Sequence, residues 1–386
     1  MQRLQLFRVA TLILTASSLT LAFMSSSAAQ NSHLVYFGTY TGQNSKGIYV
    51  SRFDLSSGKL EPPQLAAETK NPSFLAIHPN GRWLYAAGEI GGGGGKPEGK
   101  VSAFKLDEQS GQLALINEQG SGGSGPCHVA VDKTGKYVLV ANYGSGSIAA
   151  LPLEPDGRLG PASQTVQHHG SGLNPQRQEG PHAHFITTDP ANKFVLTCDL
   201  GLDKVLIYHF DPPTTLLTPG VPPGVSLKPG SGPRHLAFHP NGRYVYVINE
   251  LSSSLTAFSY DGHSGVLKEL ETRSTLPPEF KGQNTCAEVQ VHPSGRFVYG
   301  SNRGHNSIAV FEVNPKDGRI NRLECVASGG KAPRHFAVDP SGKWLLAENQ
   351  DSDNVIVFAV DPNSGRLSPS GNKIEVASPV CVLFAP

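Results

Sequence analysis

From about residue 33 onward, short apolar and aromatic runs alternate with turns rich in Gly, Pro, Asn and Asp. In one stretch the runs are "HLAFH", "YVYVIN", "LTAFSY" and "LKELET", between residues 235 and 272. Each is strand-length and β-rich, so the stretch predicts four antiparallel strands. The hairpin between the first two runs recurs as "PNGRWLY" (79–85), "KTGKYVL" (133–139), "PANKFVL" (190–196), "PNGRYVY" (240–246), "PSGRFVY" (293–299) and "PSGKWLL" (340–346). A second turn follows in most units: "SSGKL" (56–60), "QSGQL" (109–113), "PDGRL" (155–159), "HSGVL" (263–267), "KDGRI" (316–320) and "NSGRL" (363–367). The period is about 50 residues, that of a four-stranded propeller unit.

A lone four-stranded sheet cannot bury both faces, whereas sheets arranged radially bury them against one another. Six units carry the hairpin. A seventh is split, with outer strands in "HLVYFGTYTG…GIYVSRFDLSSGKL" and its innermost strand in "SPVCVLFAP" (378–386). Joining the two removes both free edges. The expected fold is therefore all-β: one seven-bladed propeller over residues 30–386, closed by pairing the C-terminal strand with the N-terminal blade.

The first 29 residues read differently. Arg3 and Arg8 precede the apolar run "VATLILTASSLTLAF" (9–23), and the small residues "MSSSAAQ" follow. That order predicts a secretory leader cleaved after Ala28 or Ala29, and with it an exported protein, periplasmic or extracellular, without stable membrane insertion. The net charge is +1, which argues against a nucleic-acid partner. Five cysteines, with no C-x-x-C, read as buried unpaired residues or at most one disulfide.

Aligned on the hairpin, the units yield two columns. One precedes each innermost strand: Ser73-Phe74, Cys127-His128, His184-Phe185, Arg234-His235, Ala287-Glu288 and Arg334-His335. The other ends the next strand: Gly88-Glu89, Asn142-Tyr143, Asp199-Leu200, Asn249-Glu250, Asn302-Arg303 and Asn349-Gln350, with Thr39-Tyr40 from the split unit. Antiparallel strands bring the entry of one and the exit of the other to one mouth of the central channel. These positions stay polar while changing identity, as a site does and a scaffold does not. The polar stretch "RQEGPHAH" (177–184) enters the same mouth.

Arginines there offer forks for a carboxylate or phosphate. Glu250 or Glu288 among them would stay ionised, accepting a proton or holding a histidine's tautomer. His182 or His184 could act as general base, and an arginine could stabilise an oxyanion. His78, His239 and His292 fall at the opposite face and read as turn residues. His168-His169 with His182 and His184 match no recognised ligand spacing, so neither metal nor other cofactor is expected. "GGGGG" (91–95) reads as a loop, and no G-x-S-x-G occurs.

On the runs "VYFGTYTGQNSKGIYV", "RQEGPHAH", "GPRHLAFHPNGRYVYVINE", "GRFVYGSNRG" and "APRHFAVDPSGKWLLAENQ", the chain resembles the bacterial lactonase family of seven-bladed propellers. That family includes propeller-type 6-phosphogluconolactonases and carboxymuconate lactonising enzymes. The resemblance covers essentially the whole mature chain. It implies a catalytic group of His182 (with His184 the alternative), Arg234, Glu250 and Arg303, the histidine being steered by Glu250. The expected substrate contacts are His184, Glu288, Arg334, Asn302, Gln178 and Asn349. The implied activity is hydrolysis of a sugar or phosphosugar lactone. A lactonising cycloisomerase, or an exported propeller that binds carbohydrate or protein, are the alternatives. Phosphogluconolactone is a cytosolic intermediate, so either the substrate is another sugar-acid lactone or the leader reading fails. Oligomeric state is left open.

Overall fold

Seven antiparallel sheets surround one channel in the computed structural model of the chain, which describes residues 32–91, 99–211 and 216–386. Blades two to seven span 72–120, 126–167, 183–226, 233–274, 285–327 and 335–375, and each runs through four strands from the channel outward. Blade one is the split one. Its innermost strand, Pro379–Phe384, pairs antiparallel with Ser32–Thr39, from Val35↔Phe384 to Thr39↔Pro379. Gly47–Asp54 follows, and the outer edge is broken into Lys59–Leu60 and Gln64–Glu68. His33–Pro386 forms one unit; the other, Met1–Ser32, lies almost wholly outside the described residues, and the leader expected there lies outside them too. So does most of "GGGGG". No helix among the described residues is long and apolar enough to cross a membrane.

The apolar positions fill the gaps between blades. There are seven hydrophobic clusters, one per gap, such as Tyr85, Val101, Val138 and Leu151 between blades two and three. Each fully buried side chain of this size contributes roughly 1.5–3 kcal/mol, so no blade is stable without its neighbours. Polar latches repeat around the ring. Tyr85, Tyr246 and Tyr299 donate their hydroxyls to Gly157, Gly318 and Gly365, the glycines of the second turn in the following blade. The hairpin histidines do likewise: His78, His239 and His292 place Nε2 2.8–2.9 Å from the carbonyls of Gly135, Gly295 and Gly342. Gly135 sits at φ +68°, and a Cβ there would stand 2.3 Å from His78 Nε2. These glycines are therefore fixed by contact as much as by turn geometry.

Candidate active site

The mouth of the channel is shaped by one backbone irregularity used repeatedly. Where an innermost strand begins, its register with the next strand slips. Ala183 pairs with Asp199 and Phe185 with Cys198, which leaves His184 unpaired. Pro233 pairs with Asn249 and His235 with Ile248, which leaves Arg234 unpaired. Ser73, Cys127 and Val380 are skipped in the same way, and blade six skips Ala287-Glu288. A bulged residue makes no ladder bonds and is re-aimed relative to its neighbours. Six blades thus begin their innermost strand with a bulge, while in blade seven Arg334 lies just before a strand of unbroken register.

Above these bulges lies an open cavity of about 270 Å³, lined by His184, Cys127, Tyr143, Glu89, Glu250 and Thr285 with Arg177, Arg303 and Arg334. Arg234 lies just beneath, in the wall of a narrower extension. Glu250 is the electrostatic centre. Its Oε1 is 2.6 Å from Arg177 Nη2, and its Oε2 is 3.1 Å from Arg234 Nε and 3.0 Å from Arg303 Nη2. Burial pushes this carboxyl up, but Arg303, Arg234 and Arg177 outweigh it and hold it at about 2. Arg303 also donates to the Cys286 carbonyl, and Arg234 to that of Ala287. Arg334 donates to Tyr40 Oη at 2.8 Å and lies over its ring, and Tyr40 donates to Glu89. Four guanidiniums thus meet two carboxylates among the described residues at this mouth, and the excess positive charge favours an anionic ligand or a developing oxyanion.

His184 is 5 % exposed. Its Nδ1 is 3.7 Å from Cys127 Sγ, and its ring meets those of Tyr143 and His235 edge-on. Burial, then Arg234 and Arg334, hold it well below the ordinary imidazole range. The ring is therefore neutral at neutral pH, with a lone pair on one nitrogen. His182 is elsewhere. It stacks on Tyr143 at 4.4 Å, with Nδ1 2.9 Å from the Tyr143 carbonyl and Nε2 3.2 Å from Glu179 Oε1. Both its nitrogens are engaged outside the cavity, because the bulge falls at His184 and not two residues earlier.

A second ring lies deeper. Phe74, His128, Phe185, His235, Glu288 and His335 close the channel beneath the cavity through successive side-chain contacts. Glu288, expected on substrate and expected to stay ionised, is here with its Oε2 2.7 Å from His235 Nδ1, and burial pushes its carboxyl up to about 8 against the pull of Arg234, which corrects the expectation of an ionised group. Three more expected contacts belong to the scaffold. Gln178 is fully buried, donating to the Leu200 carbonyl and accepting from the Asn174 amide. Asn302 donates to the Thr275 carbonyl and Ser307 Oγ, and Asn349 to the Ser328 carbonyl and Asn354 Oδ1. Asn142 repeats the pattern with Ser121 and Ser147. The expectation that Glu250 steers the histidine also fails, since its oxygens are taken by three arginines.

Arg177 and Thr285 line the cavity from outside both aligned columns. The outermost strand of blade three, Gln164–Gln167, ends at residue 167, and the irregular connection that follows carries Arg177 over the rim. Two features anchor that connection. His168 Nδ1 meets Asp199 Oδ2 at 2.6 Å in full burial. Gly180 and His182 lie so close to Gly201 that a Cβ on Gly201 would stand 1.9 Å from the Gly180 carbonyl oxygen. Asp199 Oδ1 also accepts the His182 amide. No cluster of three or more His, Cys, Asp or Glu suited to a metal occurs among the described residues.

Comparison with known proteins points one way. Residues 34–384 match the family described as "Lactonase, 7-bladed beta-propeller". A 6-phosphogluconolactonase of Bacillus subtilis is 39% identical over 304 residues, covering 79% of this chain and 84% of its own. A 6-phosphogluconolactonase of Formosa agariphila is 33% identical over 309 residues, covering 79% and 86%. Among solved structures, the periplasmic gluconolactonase of Pseudomonas aeruginosa superposes with a TM-score of 0.87 at 35% identity, over 92% of this chain and 99% of that one.

Proposed function

The chain belongs to the seven-bladed β-propeller lactonase family, and from that membership we propose that it hydrolyses a sugar-acid lactone in the mouth cavity, with His184 as general base. The observation that carries this reading is a neutral, buried imidazole facing a cavity ringed by arginines. His184 Nε2 has no protein partner among the described residues, while Nδ1 faces the Cys127 sulfur. A water beside Nε2 gives up its proton as its oxygen bonds to the lactone carbonyl carbon. The carbonyl oxygen becomes an oxyanion, held by Arg234 and Arg334. Collapse breaks the ring C–O bond, and the departing alkoxide takes the proton back from the imidazolium. Water is consumed and an open-chain hydroxy acid leaves. A preorganised donor of this kind is worth about 10²–10³ in rate. Glu250 takes no proton in this scheme; it holds Arg177, Arg234 and Arg303 together.

The leader at residues 1–29 adds the proposal that the protein is exported. Its similarity to a periplasmic gluconolactonase supports that, while the relatives named 6-phosphogluconolactonase keep a phosphosugar lactone in view. Acid release from glucono-δ-lactone and its 6-phosphate, followed by pH-stat on purified protein, tests the activity. No release above the spontaneous rate on either lactone refutes it. Fractionation of the producing cells tests the location.

A further inference from the structure

Beneath the cavity, three blades contribute to one buried polar chain that the scheme above does not use. Arg234 (blade five) is held by Nη1, which donates to the Ala287 carbonyl at 2.8 Å, while Nε lies 3.1 Å from Glu250 Oε2 as an ion pair without a hydrogen bond. Nη1 also lies 3.2 Å from His235 Nε2. A guanidinium can only donate, so His235 Nε2 must be the lone-pair nitrogen and its proton must sit on Nδ1. That proton points at Glu288 Oε2 in blade six, 2.7 Å away. His335 of blade seven closes the chain. Its Nδ1 accepts the Val382 amide, so its proton is on Nε2, 3.5 Å from the same Glu288 oxygen. Every tautomer is dictated by a neighbour, and all four side chains are 5 % exposed or less.

We propose that Glu288 is a positioning residue for Arg234, acting through His235: a carboxyl–imidazole–guanidinium chain that locks the arginine in the one orientation useful to the cavity. Without the Glu288 carboxyl, only the Arg234 Nη1 N–H still favours the Nδ1–H tautomer, and the Nδ1 proton is left without an acceptor. The other tautomer would turn an N–H against the Arg234 Nη1 N–H, and the guanidinium would have to rotate away. Nη2, the corner without a protein partner among the described residues, would rotate with it. The same logic operates where second-sphere groups set a ligand histidine's tautomer.

The inference rests on Arg234 serving the hydrolysis proposed above, so the test separates the two. Glu288→Ala and His235→Leu should each lower kcat/KM on glucono-δ-lactone about 10–100-fold, mainly through kcat, as expected for losing a hydrogen bond to a charged group. Glu288→Gln keeps an acceptor for Nδ1–H, and His235→Gln offers both an acceptor for Arg234 and a donor for Glu288. Both should retain most of the rate. In an Arg234→Ala background, Glu288→Ala should cost less than about 2-fold more, because the two act as one unit. A Glu288→Ala enzyme as fast as wild type, or losses that multiply with Arg234→Ala, overturns the proposal. The second readout needs no substrate and no variant that must fold. ¹⁵N spectra of the wild-type histidines should show His235 as the Nδ1–H tautomer; an Nε2–H tautomer or an imidazolium overturns the chain. Wild-type protein without lactone turnover sinks the hydrolysis reading alone, and the spectra still decide this one.

Discussion

Replacing Glu250 by Gln removes the negative charge that three guanidiniums share while keeping shape and volume. At about 3 Å and an effective dielectric near 20, each such pair is worth roughly 5 kcal/mol before desolvation. The net figure comes from the carboxyl itself. Its fall from 4.5 to about 2 corresponds to roughly 3 kcal/mol of preference for the charged form, at about 1.4 kcal/mol per pH unit. The folded-state value lies below the unfolded one, so this stability is fully present above pH 4.5 and is lost as pH falls towards 2. Glu250→Gln should therefore be about 3 kcal/mol less stable than wild type at pH 7 and about 2 kcal/mol less stable at pH 3.5. For a unit of about 350 residues, the pH 7 deficit is a drop of roughly 4 °C in Tm. Urea titrations at several pH values, with calorimetry at pH 7, measure it. Equal stability at pH 7, or a gap that widens as pH falls, would refute the view of Glu250 as the clamp of three arginines.

Further expectations follow from the same cavity. His184→Ala should cost about 10²–10⁴ in kcat/KM, the range for a general base, whereas His182→Ala should cost less than about 10-fold; the reverse order in steady-state kinetics would restore His182 to the role. Because His184 is held below the ordinary imidazole range, its base form persists into acid. The acid limb of kcat/KM should therefore fall below pH 6.5, and a limb at or above 7 contradicts the assignment. Gly201→Ala must displace the Gly180 carbonyl, an overpacking worth about 1–3 kcal/mol, and should lower Tm and activity together. Dialysis against EDTA should leave the rate unchanged, since both carboxylates at the cavity are committed to cationic or phenolic partners; loss restored by a divalent ion would refute this.

Most of the architecture is legible because a propeller writes its period into the chain. Hairpin glycines, strand runs and the divided first blade all follow from burying sheets radially. Column alignment likewise finds Arg234, Glu250, Arg303, Arg334 and His184. It fails where depth or irregularity decides. Residues adjacent in a column differ by a layer, so Glu288 falls below the cavity while Arg234 borders it. Asn302 and Asn349 stand in a column where Asn142 and Asn249 also stand. A residue recurring at a repeat position marks scaffold, and that signal was available. Arg177 obeys no repeat, because it arrives on a connection between blades. Which of His182 and His184 lines the cavity turns on a single bulged residue, which side-chain chemistry does not encode.

That bulge also bears on how such a site can change. The residues it sets free contribute nothing to the ladders, so replacing one breaks no backbone hydrogen bond and leaves the adjoining blades in register. At Ser73, Cys127, His184, Arg234 and Val380 the ladder register does not depend on the side chain, although Arg234 is tied to Glu250 and His235 and would have to change with them. New specificities on this scaffold are thus accessible one blade at a time, and a combinatorial library restricted to these positions should be rich in folded proteins.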